Sequence, residues 1–562
     1  MPGLAGAEAV FVRYVQDGEA CFAPAEVDMR SDTETWWRAS FPVWSSPTHY
    51  RWLLVGGRCG YAWMNGDGVT RHDVPDAGDF VIGFGGDGPE WHLSAVVYEI
   101  FPDRFACSRL GVEPPAWALP RAWDARPSGH GPEAALEWFG GDLRGVEQRL
   151  DHVTRLGATA LFLRSVFPAG STHRYDATSF ERIDPLLGGE PAFASLVRAA
   201  HERGLRLIGD LTTNHTGDGH DWFRAACDDV GAPERDFYYF DSSLPAGYEA
   251  WWDVATLPKL DWSSERLRDR MAGVVRHWLA AGLDGWRIDA ANMTGRRRSQ
   301  DVHREAARVL REAAGDALLI AEHCHDFRGD VGGDGWHGAT NYAGFTRPVC
   351  QWLRGEGPPA GADSPGGLPR LDGRAIEATM RAFRAGMSWS AVLHSWSLLD
   401  SCDSARFRTV AGSRDRQLVG VGLQMTLPGV PVVCAGDEIG VEGAWGEDGR
   451  RPMPWDRPER WDRGLEDGYR RLIALRRDSP ALQRGGLRVA YVDADVIAFL
   501  REGLEERVLV LASRGGGDEV RLPLSALGAF ETETLYGSDT RIEDGCAVLP
   551  AESPAFHAWR LS

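Results

Sequence analysis

Between residues 95 and 480 the chain alternates short apolar runs with amphipathic helical stretches, and few architectures accept that alternation. The runs LSAVVYEIFP, ATALFLRSVF, RLIGDL, DGWRIDA, ALLIAEH, SWSLLDS and PGVPVVCAGDE read as buried strands, with a weak candidate near 337–342. Between them, Leu143, Val146, Leu150, Val153 and Leu156 share one helical face. PAFASLVRAAHERG reads as a helix stopped by Gly204, and VHREAARVLREAAG as another helix. Strand–helix units repeated in this way demand a parallel sheet covered on its outer face. An open doubly wound sheet and a closed eight-stranded barrel both satisfy the pattern, and the strand count favours the barrel.

The flanks differ. Residues 1–94 carry strand-like segments such as YRWLLVGG and DFVIGF between Gly, Asp and Asn turns, and form an N-terminal β-domain. Residues 481–562, with RVAYV, VIAFLR and RVLVLASR, form a C-terminal antiparallel β-domain. Within the 95–480 barrel, the stretch 216–260 is long, aromatic and acidic, and reads as a small subdomain walling a cleft. The segment 355–370 is a Gly/Pro loop.

The net charge of −20 argues against nucleic-acid or anionic-membrane partners. No apolar run reaches the roughly 20 residues that span a bilayer. The N-terminus lacks a basic and apolar leader, and the nine Cys lack a CxxC pair, so a cytoplasmic protein with reduced thiols is expected. Much of the excess of 23 Trp can be core, but flat aromatic faces also suit a cleft that stacks sugar rings.

Polar residues gather where barrel strands end, the face on which barrels build their sites. Asp210, Asn214 and His215 close the third strand, Arg287 and Asp289 the fourth, and Glu322 the fifth. Asp403 follows the seventh, and Asp437 and Glu438 follow the eighth. Any one acid at a strand end can be an ordinary helix cap. Several converging on one mouth repel each other and need a cationic partner, such as Arg287, or a substrate that develops positive charge. A glycosidic oxocarbenium ion is such a substrate. Arg287 is expected to hold Asp289 ionised while like charges raise Glu322.

RLIGDLTTNH, GLDGWRIDAANMTGR, LLIAEHCHD and LLDSCDSAR resemble, in order, the four sequence blocks of the α-amylase family of glycoside hydrolases. VVYEIFPDRF, WFGGDLRG, HRYDATSFERIDPLLG, PGVPVVCAGDEIGVEG and RRPMPWD extend the resemblance over nearly the whole chain. Within that family the pattern is most similar to cyclomaltodextrinases, neopullulanases and maltogenic amylases. The resemblance implies a (β/α)8 TIM barrel with a short insertion after strand three, flanked by N- and C-terminal antiparallel β-sandwich domains. It implies hydrolysis of α-1,4 bonds, with α-1,6 left open, in small or cyclic maltodextrins through a covalent glycosyl-enzyme. Asp289 would be the nucleophile, Glu322 the acid/base, and Asp403 the stabiliser of the distorted sugar. Tyr175, Asp176, His215, Arg287, His323 and Cys402 would line the sugar site, with Asp210 and Asn214 supporting it.

Cys402 stands where the pattern carries His. Losing a sugar hydrogen bond there costs on the order of 1.5–3 kcal/mol if a charged partner is involved, so reduced turnover or an altered substrate preference is expected. Transglycosylation at the same site, and sugar binding on a degenerate scaffold, are the alternatives. No cofactor is required. Calcium is left open through Gly140 and Asp142, with only Ser108 and Glu113 as further side-chain oxygens nearby. A metal at His323, Cys324 and His325 is disfavoured, because strand neighbours face opposite ways. A homodimer through the N-terminal domain is a further option.

Overall fold

The computed structural model describes residues 7–30, 34–57, 60–108, 111–131, 133–355, 368–516, 518–551 and 553–562. Most of the Gly/Pro segment 355–370 lies outside the described residues.

Eight parallel strands form the central sheet: Val97–Ile100, Ala160–Leu163, Arg206–Thr212, Gly285–Asp289, Leu318–Ala321, Gly338–Ala339, Trp396–Leu398 and Val430–Cys434. The first six pair in sequence order, the seventh pairs with the eighth, and the eighth pairs with the first. The remaining gap, between sixth and seventh, is bridged in parallel by Thr340 and Trp396. The barrel alternative is therefore the one realised.

Two-residue periodicity along each strand separates an inner column from an outer one. Val97, Ala160, Phe162, Ile208, Leu318, Ile320, Trp396, Leu398, Val430 and Val432 fill the barrel interior. The alternate residues Tyr98, Leu161, Leu163, Leu207, Trp286, Ile288 and Leu319 pack outward under the helices.

The helical face expected from Leu143 to Leu156 is buried, but not in one helix. Helices Leu143–Gln148 and Leu150–Leu156 meet at Arg149, whose backbone (φ −108°, ψ 6°) interrupts the ladder while keeping the apolar residues on one side. The insertion after strand three holds helix Asp221–Asp228 and a cluster of Phe223, Tyr238, Phe240 and Tyr248.

Before the barrel lies a seven-stranded antiparallel sheet whose small core is Val12, Tyr14 and Ala23 under Phe41, Tyr50 and Trp52. After it come a five-stranded and a three-stranded antiparallel sheet, packed through Leu500, Leu509, Leu511 and Trp559 on one and Leu522 and Leu549 on the other. The opposite face of the five-stranded sheet, with Phe499, Val508, Val510 and Phe556, joins the barrel core. Helix Arg414–Thr426 approaches it so closely that a Cβ at Gly422 would sit 2.2 Å from the Phe556 ring.

A trio of buried histidines lies at the opposite, amino-terminal side of the strands. His92 Nδ1 and His394 Nδ1 are 2.9 Å apart with rings parallel within 3°, and Trp396 Nε1 donates to His92 Nε2 at 2.9 Å. The amide of Leu319 donates to His337 Nδ1 at 2.9 Å. Burial pushes His337 down to about 2 and His394 down to about 4, so all are neutral in the fold. The unfolded chain protonates them near 6.5. Their stabilisation is thus complete above about pH 6.5 and is lost as pH falls toward the depressed folded values, by roughly 1.4 kcal/mol per pH unit for one such group. His337→Asn keeps an acceptor for the Leu319 amide without the titration. The drop in melting temperature between pH 7.5 and pH 5 should be smaller in this variant than in the natural protein; an equal drop would assign the acid sensitivity elsewhere.

Candidate active site

The site grows from the inner columns. Going up each strand, the apolar residue gives way to a charged one at the carboxyl end. Val97 is followed by Glu99, Phe162 by Arg164, Ile208 by Asp210 and Ile320 by Glu322; Gly285 is followed by Arg287 and Asp289. Strand register places Asp210 beside Arg287.

Arg287 is the hub. It is 1% exposed, and its Nη1 lies 2.7 Å from both Asp210 Oδ1 and Asp289 Oδ1, while Nη2 contacts Glu322 Oε1. The second Glu322 oxygen accepts the Ala290 amide at 2.8 Å. Ala290 adopts φ +45°, a left-handed conformation costing an alanine about 1–3 kcal/mol, and that turn aims its N–H at Glu322.

Arg164 is the second cation, 2% exposed. It reaches Glu99 at 2.7 Å, the Tyr175 hydroxyl at 2.7 Å and Asp403 at 3.1 Å. The Tyr175 hydroxyl passes the link on, donating to Asp210 Oδ2 at 2.9 Å. The ring of Phe162 lies beneath both guanidinium groups, 5.3 Å from Arg164 and 5.9 Å from Arg287. Arg450 completes the frame, bonding Asp403 Oδ1 and the Cys402 carbonyl, each at 2.7 Å.

These partners set the charges. Burial first, then the Glu322 charge, pushes Asp289 well above the usual carboxylate range, against the pull of Arg287. The expected pull of Arg287 on Asp289 is present at 2.7 Å, but its one positive charge is divided among three carboxylates. Burial works against ionisation of Asp403 too, but Arg164 and Arg450 outweigh it and hold that carboxyl well below its usual range. Burial keeps the Cys402 thiol protonated between the same two arginines.

His215 is 2% exposed, and burial followed by Lys259 drives it down to about 3, so it is neutral. Its tautomer follows from its neighbours. Lys259 Nζ donates to Asn214 Oδ1, so the Asn214 amide nitrogen must donate to His215 Nδ1, 3.1 Å away, leaving Nε2–H as the donor. The His215 ring lies 5.7 Å from Trp251, which stacks on Trp252 within 9°. Trp252 is 75% exposed with φ +48°, so the insertion holds an indole out beside the mouth in a strained backbone.

The structure thus brings together Asp210, Asn214, His215, Tyr175, Arg287, Asp289, Glu322, Cys402 and Asp403. Asp176 instead closes its own loop, accepting the Gly170 amide at 3.0 Å and the Ser171 hydroxyl. His323 is corrected. Glu322 continues the inner column of Leu318 and Ile320, so His323 continues the outer column, is 3% exposed, and has its Nε2 3.3 Å from Asp330. Asp437 and Glu438 are buried supports, the first on Arg406 at 2.9 Å and the second on Tyr98 and His152 at 2.9 and 2.8 Å. Sequence reasoning missed Arg164, Arg450 and Glu99. The signal for two of them was a charged residue in an otherwise apolar strand, which must find a buried partner.

Of the residues considered for calcium, Asp142 has both carboxylate oxygens engaged by protein donors. Asp142 caps helix Leu143–Gln148 by accepting the Gly145 amide at 2.7 Å, and its other oxygen takes the Ser108 amide and hydroxyl at 2.8 and 2.9 Å. Among the described residues, no three His, Cys, Asp or Glu are grouped to hold a metal ion, and no helix is long and apolar enough to cross a membrane.

Residues 99–331 match the α-amylase catalytic domain family. Neopullulanase 2 of Thermoactinomyces vulgaris is 33% identical over 454 residues, covering 78% of this chain and 73% of that protein. A cyclomaltodextrinase of Geobacillus thermopakistaniensis is 28% identical over 477 residues, covering 82% and 76%. The solved structure of the cyclic α-maltosyl-(1→6)-maltose hydrolase from Arthrobacter globiformis superposes with a TM-score of 0.70 at 28% identity, over 84% of this chain and 99% of that one. With its charged inner ring on an eight-stranded barrel and these relatives, the chain belongs to the α-amylase family and is a glycoside hydrolase.

Proposed function

We propose that the protein is a retaining hydrolase of α-1,4 glucosidic bonds in small or cyclic maltodextrins, with α-1,6 bonds as a second substrate class. The observation that carries this reading is the single Arg287 guanidinium shared by Asp289 and Glu322. Two carboxyls bridged by one guanidinium suit the short separation, about 5–5.5 Å, of retaining pairs, rather than the roughly 6.5–9.5 Å that admits a water between inverting ones.

In this reading Glu322 protonates the leaving oxygen as Asp289 attacks the anomeric carbon. The resulting glycosyl ester is then hydrolysed by a water that Glu322 deprotonates. The Asp289–Glu322 pair holds one proton, and the reaction runs from the form in which it sits on Glu322. Asp403, kept ionised by Arg164 and Arg450, and the neutral His215 donor bind hydroxyls of the same sugar. A sugar acceptor in place of water would give transglycosylation. The names of the relatives, together with the indoles of Trp251 and Trp252 beside His215, favour small or cyclic α-glucans over long chains. The enzyme works in the cytoplasm as a homodimer in this reading, the location being favoured by the name of a relative, the intracellular maltogenic amylase of Bacillus subtilis.

Reducing-sugar release from β-cyclodextrin, maltotriose and pullulan should be abolished by Asp289→Asn; equal release by the variant and the natural protein would end the enzyme reading. The alkaline limb of kcat/KM reports loss of the pair's proton. Asp210 raises Asp289 by its charge and competes for Arg287. Asp210→Asn should therefore move that limb to lower pH, and a limb that stays or rises would contradict the shared-proton account. Cys402→His should raise turnover on short maltodextrins by roughly tenfold, the worth of one recovered hydrogen bond. A loss would show a pocket built around the thiol.

A further inference from the structure

Behind the catalytic pair lies a second link between the same two strand exits. Asp330, with a side chain 12% exposed, accepts both terminal nitrogens of Arg296, at 2.7 and 2.9 Å. Arg296 belongs to the segment that leaves the strand of Asp289, and it also donates to the Asn292 carbonyl at 2.9 Å. The same carboxylate faces His323 Nε2 at 3.3 Å, and His323 adjoins Glu322. Because His323 Nδ1 receives the His325 amide at 3.4 Å, its proton sits on Nε2 and points at Asp330. His323 is anchored by its own amide on Thr340 Oγ1 at 3.0 Å. His303 packs beside Asp330 at 3.6 Å without donating to it: its Nε2 takes the Trp336 indole at 3.2 Å and its Nδ1 faces the Thr294 carbonyl at 2.9 Å.

We propose that Asp330 is a positioning residue that, through Arg296 and His323, fixes the separation of Asp289 and Glu322. The exits of strands four and five are then tied twice, once at the chemistry by the Ala290 amide on Glu322 and once behind it by this clamp. Packing alone does not hold the rear link. A cavity of about 410 Å³, lined by Arg296, Asp301, His303, Glu305, Asp330 and Gly335, opens beside it and leaves these side chains room to relax once the ion pair is cut. A strained residue such as Ala290 persists only where its surroundings over-determine it, and the clamp is one of those constraints.

The inference rests on Asp289 and Glu322 being the catalytic pair. A misplacement of about 1 Å far from the chemistry can cost on the order of a hundredfold in rate. Asp330→Ala and His323→Val should each lower kcat tenfold to a hundredfold, with KM for maltotriose held within about twofold. His323→Gln, which retains a donor toward Asp330, should recover most of the rate. Because Asp289 is raised partly by the nearness of Glu322, both damaging variants should also move the alkaline limb of kcat/KM to lower pH. A purely structural role would lower the melting temperature without moving that limb, and an unchanged kcat and limb in folded His323→Val would overturn the clamp even if Asp330→Ala failed to fold. Asp289→Asn, run in parallel, separates the two failures. If it is inactive while the clamp variants match the natural protein, the clamp is wrong; if it is active, the assignment of the pair is wrong.

Discussion

One guanidinium shared among three carboxylates is the constraint around which the top of the barrel is organised. Arg287 and Asp210 are fully buried, while the side chains of Asp289 and Glu322 reach the mouth, 10% and 16% exposed. Removing one partner of a buried ion pair typically costs about 3–5 kcal/mol. Arg287 cannot be swapped for an apolar residue without leaving three acids unmatched. Nor can one positive charge balance all three. An enzyme that stabilises a cationic sugar needs that imbalance. The fold supports it with apolar layers below, where Phe162, Ile208 and Ile320 dry the floor, and with a second cation, Arg164, which takes up Glu99 and Asp403.

The architecture was legible because its periods are strong. Alternation of apolar strand and amphipathic helix required a parallel sheet, and seven of the eight strands stand out in the sequence as apolar runs. The sixth does not, since a strand as short as Gly338–Ala339 leaves no period to detect. The helix expected from Leu143 to Leu156 was legible in its buried face but not in its break at Arg149, because a local backbone turn leaves the hydrophobic pattern intact. The acids and Arg287 were legible because they stand at strand ends in recognisable blocks.

What escaped was pairing at long range. Arg164 and Arg450 meet at Asp403 from segments far apart in the chain, and no local pattern announces that. The division of Arg287 among three acids was equally hidden: the sequence shows one Asp two residues away, whereas the strand register adds Asp210 from the neighbouring strand. His323 shows the opposite error. The resemblance placed it at the sugar site, but consecutive residues leaving a strand face opposite ways, and it lies on the outer column.

A similar separation of roles explains how the site tolerates Cys402. Of the groups around the sugar pocket, the charged ones are tied to each other: Asp403 has two arginines, Tyr175 bridges Arg164 to Asp210, and His215 is set by Asn214 and Lys259. Cys402 takes part in that frame through its backbone, whose carbonyl receives Arg450 and whose amide faces Glu99 at 3.5 Å. A change of side chain at this position therefore leaves these backbone contacts, and with them the arrangement of the carboxylates, in place. In the proposed hydrolase, selectivity for the bound sugar can therefore change at this side chain while the carboxylates that cleave the bond keep their places.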